Sequence, residues 1–226
     1  MSDWSEDKED LFFYEAQISS LCIGPDEWFW TEYFLVETYF GSETNIPTYF
    51  EDQDPDNHVD PPLGNVGRMD VPRFDPREYF LLKLERRILQ ATKEYAALIN
   101  TFDARMQDYV SELVIIGASS NCRVKEKRIA DLFQDPHTTH TPILGNVISK
   151  IHLFSGSISG IVDAWETFHA TQISYFTTFG KPEWQLRIDK IAQNIAQLER
   201  LRKMLLNKQE RFECKLRNAG ISSGFG

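Results

Sequence analysis

The sequence predicts a mainly α-helical protein: an elongated antiparallel bundle of three long helices with a small aromatic-rich α/β N-terminal lobe. Three long stretches repeat apolar residues at steps of three and four, the spacing of a helix that packs along one side. By contrast, 13 of the 29 aromatic residues lie within the first 50 positions. We therefore divide the chain into five parts: an acidic tail (residues 1–10), an aromatic-rich N-terminal lobe (11–50), an acidic linker rich in Pro and Gly (51–73), a helical bundle (74–220) and a second tail (221–226).

The first long helix is predicted over residues 75–116. Asp75 is a suitable N-cap, Pro76 takes the first helical position, and Glu78 completes a capping box. The apolar positions then follow one side of the helix: Leu81, Leu84, Ile88, Ala91, Tyr95, Leu98, Phe102, Met106, Tyr109 and Leu113.

The second long helix is predicted to begin at Thr141 and Pro142. Between residues 143 and 178 it carries three formally charged side chains. A helix with so few charges is predicted to be the central one, covered on most sides. Its apolar positions are Leu144, Val147, Ile151, Phe154, Ile158, Ile161, Trp165 and Phe168.

The third long helix is predicted to return antiparallel, because the break at residues 179–182 is short. Its predicted end is at residues 218–220, and its outer faces are dense in charge. Its apolar side consists of Trp184, Ile188, Ile191, Ile195, Leu198, Leu201, Leu205, Phe212 and Leu216.

The aromatic lobe is predicted to contain a strand over residues 17–23 and a helix over residues 27–40. Pro25 and Asp26 provide the cap for that helix. A strand is the competing interpretation of the same stretch, because aromatic and β-branched residues also favour sheets.

An acidic cluster in the linker imitates the start of a calcium-binding loop. Asn57 stands where such a loop needs a turn glycine, and Leu63 stands where it needs a bidentate glutamate. We therefore interpret the cluster as an exposed acidic linker. Its carboxylates belong to Asp52, Asp54, Asp56 and Asp60.

A second cluster, formed by Asp135, His137 and His140, contains metal-ligand types at close spacing. Two prolines stiffen this stretch, and a zinc site needs a further ligand that nothing nearby supplies. A polar loop between helices is the better interpretation. We predict no catalytic, cofactor-binding or metal-binding residues.

Composition and charge narrow the class of protein. With 42% apolar and 26% charged residues, the chain is globular by composition, and no run approaches the ~18–20 apolar residues of a membrane span. Three cysteines without a CxxC pair predict a reduced, cytoplasmic setting.

Residues 1–60 carry a net charge of −15 and the remainder +5. The acidic part argues against binding nucleic acid; it is either a solvated lobe or rests on basic helices.

Three stretches, residues 25–40, 75–95 and 163–168, resemble fungal CorA-like proteins, which are relatives of the magnesium transporters. Residues 25–40 are similar to an aromatic segment of that family, and residues 75–95 are similar to the start of its first long cytosolic helix. Residues 163–168 resemble an acidic-aromatic stretch of its next helix. The family's soluble domain precedes two transmembrane helices, with a Gly-Met-Asn motif at the pore. That motif is absent here, and the sequence ends at Gly226, where the membrane part is expected.

The resemblance implies a non-enzymatic helical interaction or regulatory protein. Its partner is another protein or a second copy, bound through the helix seams. The alternative is the cytosolic domain, or a truncated product, of a magnesium transporter-like membrane protein. Magnesium enters only through the resemblance, and no cofactor is predicted. The chain has no phosphate-binding loop, dinucleotide-binding glycine motif or nucleophile elbow, so an enzyme is the least supported class.

Overall fold

The computed structural model describes residues 18–26, 28–36, 59–63, 67–68, 73–118, 140–177 and 181–222. Most of these residues are helical, which confirms the mainly α class. The chain divides into two compact units, residues 1–83 and 84–226. The division falls inside the first long helix. The predicted N-terminal tail lies outside the described residues.

In the first unit, β1 (Ile18–Ile23) and β2 (Thr31–Val36) form an antiparallel hairpin. Leu21 is paired with Tyr33, and Cys22 is paired with Glu32. A smaller antiparallel pair consists of β3 (Val59–Asp60) and β4 (Gly67–Arg68), with a 3₁₀ turn at Pro61–Leu63 after β3.

The predicted helix over residues 27–40 is wrong, because β2 occupies the middle of that stretch. The carboxylate of Asp26 accepts hydrogen bonds from the backbone N–H groups of Trp28 and Phe29, at 2.8 and 2.9 Å. These bonds stabilise the turn between the strands. Gly24 is needed beside it, since a Cβ at that position would lie 2.6 Å from the Cβ of Trp30. The strand predicted over residues 17–23 is confirmed for β1.

Helix α1 (Pro76–Ala118) begins where the sequence predicts. The Asp75 carboxylate accepts the N–H of Arg77 at 2.9 Å, which is the expected N-cap bond. The first turn of α1 packs on the hairpin within the first unit: Tyr79 and Leu82 share a buried cluster with Leu63, and Cys22 and Trp30 pack against it. The indole N–H of Trp30 also donates to the carbonyl of Phe74 at 2.9 Å.

The second unit contains the rest of α1 together with α2 (His140–Thr171), the short α3 (Ser174–Thr177) and α4 (Pro182–Ser222). Helices α2 and α4 pack against each other. Helix α4 ends at Ser222, two residues beyond the end predicted at residues 218–220. The buried side chains of α2 and α4 include Ile151, Phe154, Ile158, Val162, Trp165, Trp184, Ile188, Ile191, Ile195, Leu198, Leu201 and Leu205.

Helix α2 is not covered on most sides, so that prediction is wrong. Its buried residues lie on one side, whereas Leu153, Gly156, Gly160 and Thr167 are exposed. The scarcity of charge in α2 reflects an exposed side made mostly of uncharged Gly, Ser and Thr residues, together with the large Leu153.

Replacing Leu198 by Ala is expected to lower the free energy of unfolding by roughly 2–5 kcal/mol, because the side chain is 0% exposed and its loss leaves a cavity. The matched control is Leu186→Ala on the same helix. Leu186 is 57% exposed, so its truncation is expected to change stability by less than about 0.5 kcal/mol. Urea unfolding followed by circular dichroism measures both, and equal losses would contradict the described core.

Candidate functional site

The two clusters of metal-ligand residue types, which the sequence analysis interprets as a linker and a loop, fall largely outside the described residues. Asp52, Asp54, Asp56, Asp135 and His137 are not among them, whereas Asp60 ends β3 and His140 begins α2. Across the ranges that the structure describes, no group of three or more His, Cys, Asp or Glu side chains is placed to hold a metal ion.

The structure brings together three polar side chains that the sequence analysis did not select. Cys22 and Glu32 are cross-strand partners on the side of the hairpin that faces α1, and Lys83 reaches them from the helix. The Lys83 ammonium donates to Oε1 of Glu32, and the Cys22 thiol donates to Oε2 of the same carboxylate. We call these three residues the carboxylate cluster.

The carboxylate cluster is largely shielded from water. Lys83 is only 4% exposed, and its ammonium lies 5.7 Å from the ring centre of Tyr79 and 5.6 Å from that of Phe80. Both rings add a cation–π attraction to the ion pair. A buried charge without a partner is costly, so the carboxylate is the group that permits Lys83 to remain buried.

The same surroundings suppress the ionisation of Cys22. Burial of the thiol, followed by its hydrogen bond to Glu32, raises the pKa of Cys22 to about 12. The nearby Lys83 ammonium opposes this shift only in part. Since the thiolate is the nucleophilic form of cysteine, Cys22 is inert near neutral pH. The carboxylate cluster therefore holds the hairpin on the first turns of α1; its chemistry does not favour nucleophilic catalysis.

A sequence signal for this cluster existed, although it was weak. Glu32 interrupts the aromatic run of β2, and Lys83 interrupts the apolar run Leu81–Leu84. A charge inside an apolar run is typical of a buried pair, but the sequence does not show which charges meet across 51 positions.

A second candidate is the exposed side of α2 in the second unit. Ser149, Leu153, Gly156, Gly160 and Thr167 lie along it, and we call this set the neutral face of α2. A Cβ built on Gly156 or Gly160 meets no atom within 4 Å. These five side chains carry no charge, although the exposed carboxylate of Asp163 lies on the same side of the helix between Gly160 and Thr167. The open space at the two glycines allows another backbone to approach closely.

Comparisons with known proteins found no matching family model, no matching curated protein and no matching solved structure. Among the described helices, none is both long enough and apolar enough to cross a membrane.

Replacing Lys83 by Met is expected to destabilise the protein by roughly 3–5 kcal/mol, because the Glu32 carboxylate, which is only 11% exposed, loses its counter-charge. Combining it with Glu32→Gln is expected to recover part of that loss. Lys190→Met is the control: Lys190 lies 3.7 Å from Glu85 but is 49% exposed, so its loss should cost less than about 1 kcal/mol. Urea midpoints measure all three, and a mild Lys83→Met variant would contradict the buried pair.

Native Cys22 is expected to react with iodoacetamide at least about tenfold more slowly at pH 8 than after unfolding, since its raised pKa keeps the thiol protonated. The thiol pKa is raised in the folded state, so its contribution to stability is full below pH 9 and is lost as pH rises towards 12. Mass spectrometry of a Cys122→Ser/Cys214→Ser protein isolates the reaction of Cys22. Glu32→Gln should accelerate it, and an equal rate before and after unfolding would refute the assignment.

Proposed function

We propose that the protein is a non-enzymatic helical interaction or regulatory protein, similar to the soluble region of CorA-like proteins and acting in the cytoplasm. Its partner in this proposal is a second copy, bound through the exposed sides of the long helices. The observation that carries the proposal is the neutral face of α2, where Gly156 and Gly160 lie open and Leu153 is more than half exposed.

We further propose that the three long helices form one bundle in which α2 runs opposite to α1 and α4. Two ion pairs support a common direction for α1 and α4, because the partners advance together along both helices. A hydrogen bond from Tyr95 to Ser157 supports contact between α1 and α2. These contacts are Glu85–Arg187 at 2.7 Å, Asp103–Lys208 at 2.6 Å and Tyr95–Ser157 at 2.5 Å.

In this arrangement the three helices make different uses of their surfaces. Helix α4 presents ion pairs such as Glu199–Arg202, in which the Arg202 guanidinium lowers the pKa of the Glu199 carboxyl. Helix α2 buries one side against α4 and leaves the neutral face for a partner. Small residues permit close approach of two helices, and close approach increases the number of van der Waals contacts.

Gly156→Glu is expected to abolish self-association, because it places a charge and a long side chain on the neutral face. The substitution leaves the fold intact, since a Cβ at this position has open space and Glu favours helix more than Gly does. Light scattering over a range of concentrations measures the molar mass. The control, Gln197→Glu at an exposed position of α4, adds the same charge elsewhere and should associate as the unmodified protein does.

The same measurement is made with and without millimolar magnesium. Self-association that is unchanged by magnesium supports the scaffold proposed here. A magnesium-dependent shift to a larger assembly would favour the alternative, a cytosolic domain of a transporter-like protein. A monomer mass at every concentration in both buffers would overturn association through α2.

A further inference from the structure

The hairpin of the first unit has a second face that nothing in the described chain covers. Residues alternate between the two faces of a strand, so Leu21, Ile23, Tyr33 and Leu35 lie opposite to the Cys22–Glu32 side. All four are more than half exposed. We call this set the outer face of the hairpin.

The outer face is apolar and continuous. Leu21 and Tyr33 are direct cross-strand partners, Leu35 is paired with Ser19, and Ile23 is paired with Thr31. None of these six residues carries a formal charge. Trp28 and Phe29 in the adjoining turn are also more than half exposed. Contiguous apolar surface of this kind marks a binding site more often than a solvated surface.

The net charge of the surrounding sequence selects the class of partner. Asp26 lies in the turn of the hairpin, and in the sequence Glu27 follows Asp26 and Glu37 follows the last residue of β2. Across residues 1–60 there are 16 acidic side chains and one basic side chain, Lys8. This charge repels nucleic acid, anionic membranes and a second copy of the same lobe, and it attracts a basic partner.

The dimensions of the face select the shape of the partner. Two six-residue strands present a strip about 20 Å long and about 10 Å wide. An α-helix of about 13 residues has the same length and a similar diameter. A helix also covers side chains, whereas an added strand would occupy the edge of the hairpin and leave this face exposed.

We propose that the outer face of the hairpin binds a basic amphipathic helix of a partner protein. The apolar stripe of that helix lies on Leu21, Tyr33 and Leu35, and its Lys and Arg residues are attracted by the net negative charge of residues 1–60. Helix α1 already covers the opposite face through Tyr79 and Lys83, so binding completes a helix–sheet–helix arrangement. This site is separate from the neutral face of α2.

Two labelled 14-residue peptides test the proposal with the full-length protein. One is an amphipathic helix of Leu and Lys, and the other replaces each Lys by Glu and keeps every Leu. Fluorescence anisotropy is expected to show binding of the Leu/Lys peptide, weaker at higher salt, and at least about tenfold weaker binding of the Leu/Glu peptide.

Substitutions identify the surface that binds. Leu21→Ser/Leu35→Ser is expected to weaken binding of the Leu/Lys peptide at least about tenfold. Both side chains are exposed, and circular dichroism checks that the variant remains folded. The control, Leu186→Ser, removes an exposed leucine of α4 and should leave binding unchanged. Equal binding by the two leucine variants would overturn the proposal, since it would show attraction to acidic segments alone.

Self-association is followed in the same samples by light scattering. If Leu21→Ser/Leu35→Ser abolished a dimer, a second copy would be the occupant and the proposal would be wrong. Gly156→Glu separates this site from α2: it is expected to stop association through the neutral face while leaving peptide binding intact. Either proposal can therefore fail without the other.

Discussion

The arrangement of the first unit depends on the carboxylate of Glu32. Both of its oxygens accept hydrogen bonds, one from the Lys83 ammonium and one from the Cys22 thiol. A lysine that is almost completely buried on a helix needs a counter-charge, and a strand supplies it only if the register puts a glutamate there. The pairing of Cys22 with Glu32 satisfies that condition. The ion pair thus favours one register of the hairpin and one seating on α1, because a slip by one residue would turn Glu32 outwards.

The long helices could be predicted from the sequence because their signal is local. A repeat of three and four apolar steps requires no knowledge of the partner, and Asp75 followed by Pro76 marks the start of α1 by chemistry that acts within one turn. The hairpin was harder to predict. Asp26 accepts N–H groups two and three residues ahead, and this bonding occurs both at a helix N-cap and in a turn between strands. The pattern around Asp26 does not distinguish a helix N-cap from a turn between strands. The pairing of residues 31–36 with β1 is what makes this stretch a strand.

The surfaces could be predicted less well than the helices, for a related reason. The absence of charge predicted that α2 was central, but absence of charge has two physical causes. Large apolar residues such as Ile158 and Trp165 lose free energy by leaving water, whereas Gly156 and Gly160 gain little from burial. The size of most side chains, and not charge alone, separates the buried side of α2 from its exposed side; the exposed Leu153 and the buried Ser155 are exceptions. The carboxylate cluster depends on contacts between residues far apart in the sequence, and a local sequence pattern does not reveal such contacts.

The two exposed surfaces differ in the forces available for binding, which follows from their composition. The neutral face of α2 offers mostly small side chains beside Leu153, so a partner there gains mainly from close packing, which is insensitive to salt. The outer face of the hairpin offers Leu21, Tyr33 and Leu35, large side chains whose covering releases water, within a strongly acidic stretch of sequence. In the proposed complex, hydrophobic burial supplies affinity, and the net negative charge of the surrounding sequence supplies orientation and rate. The two proposals thus rest on different forces: packing at the neutral face of α2, and apolar burial combined with charge at the outer face of the hairpin.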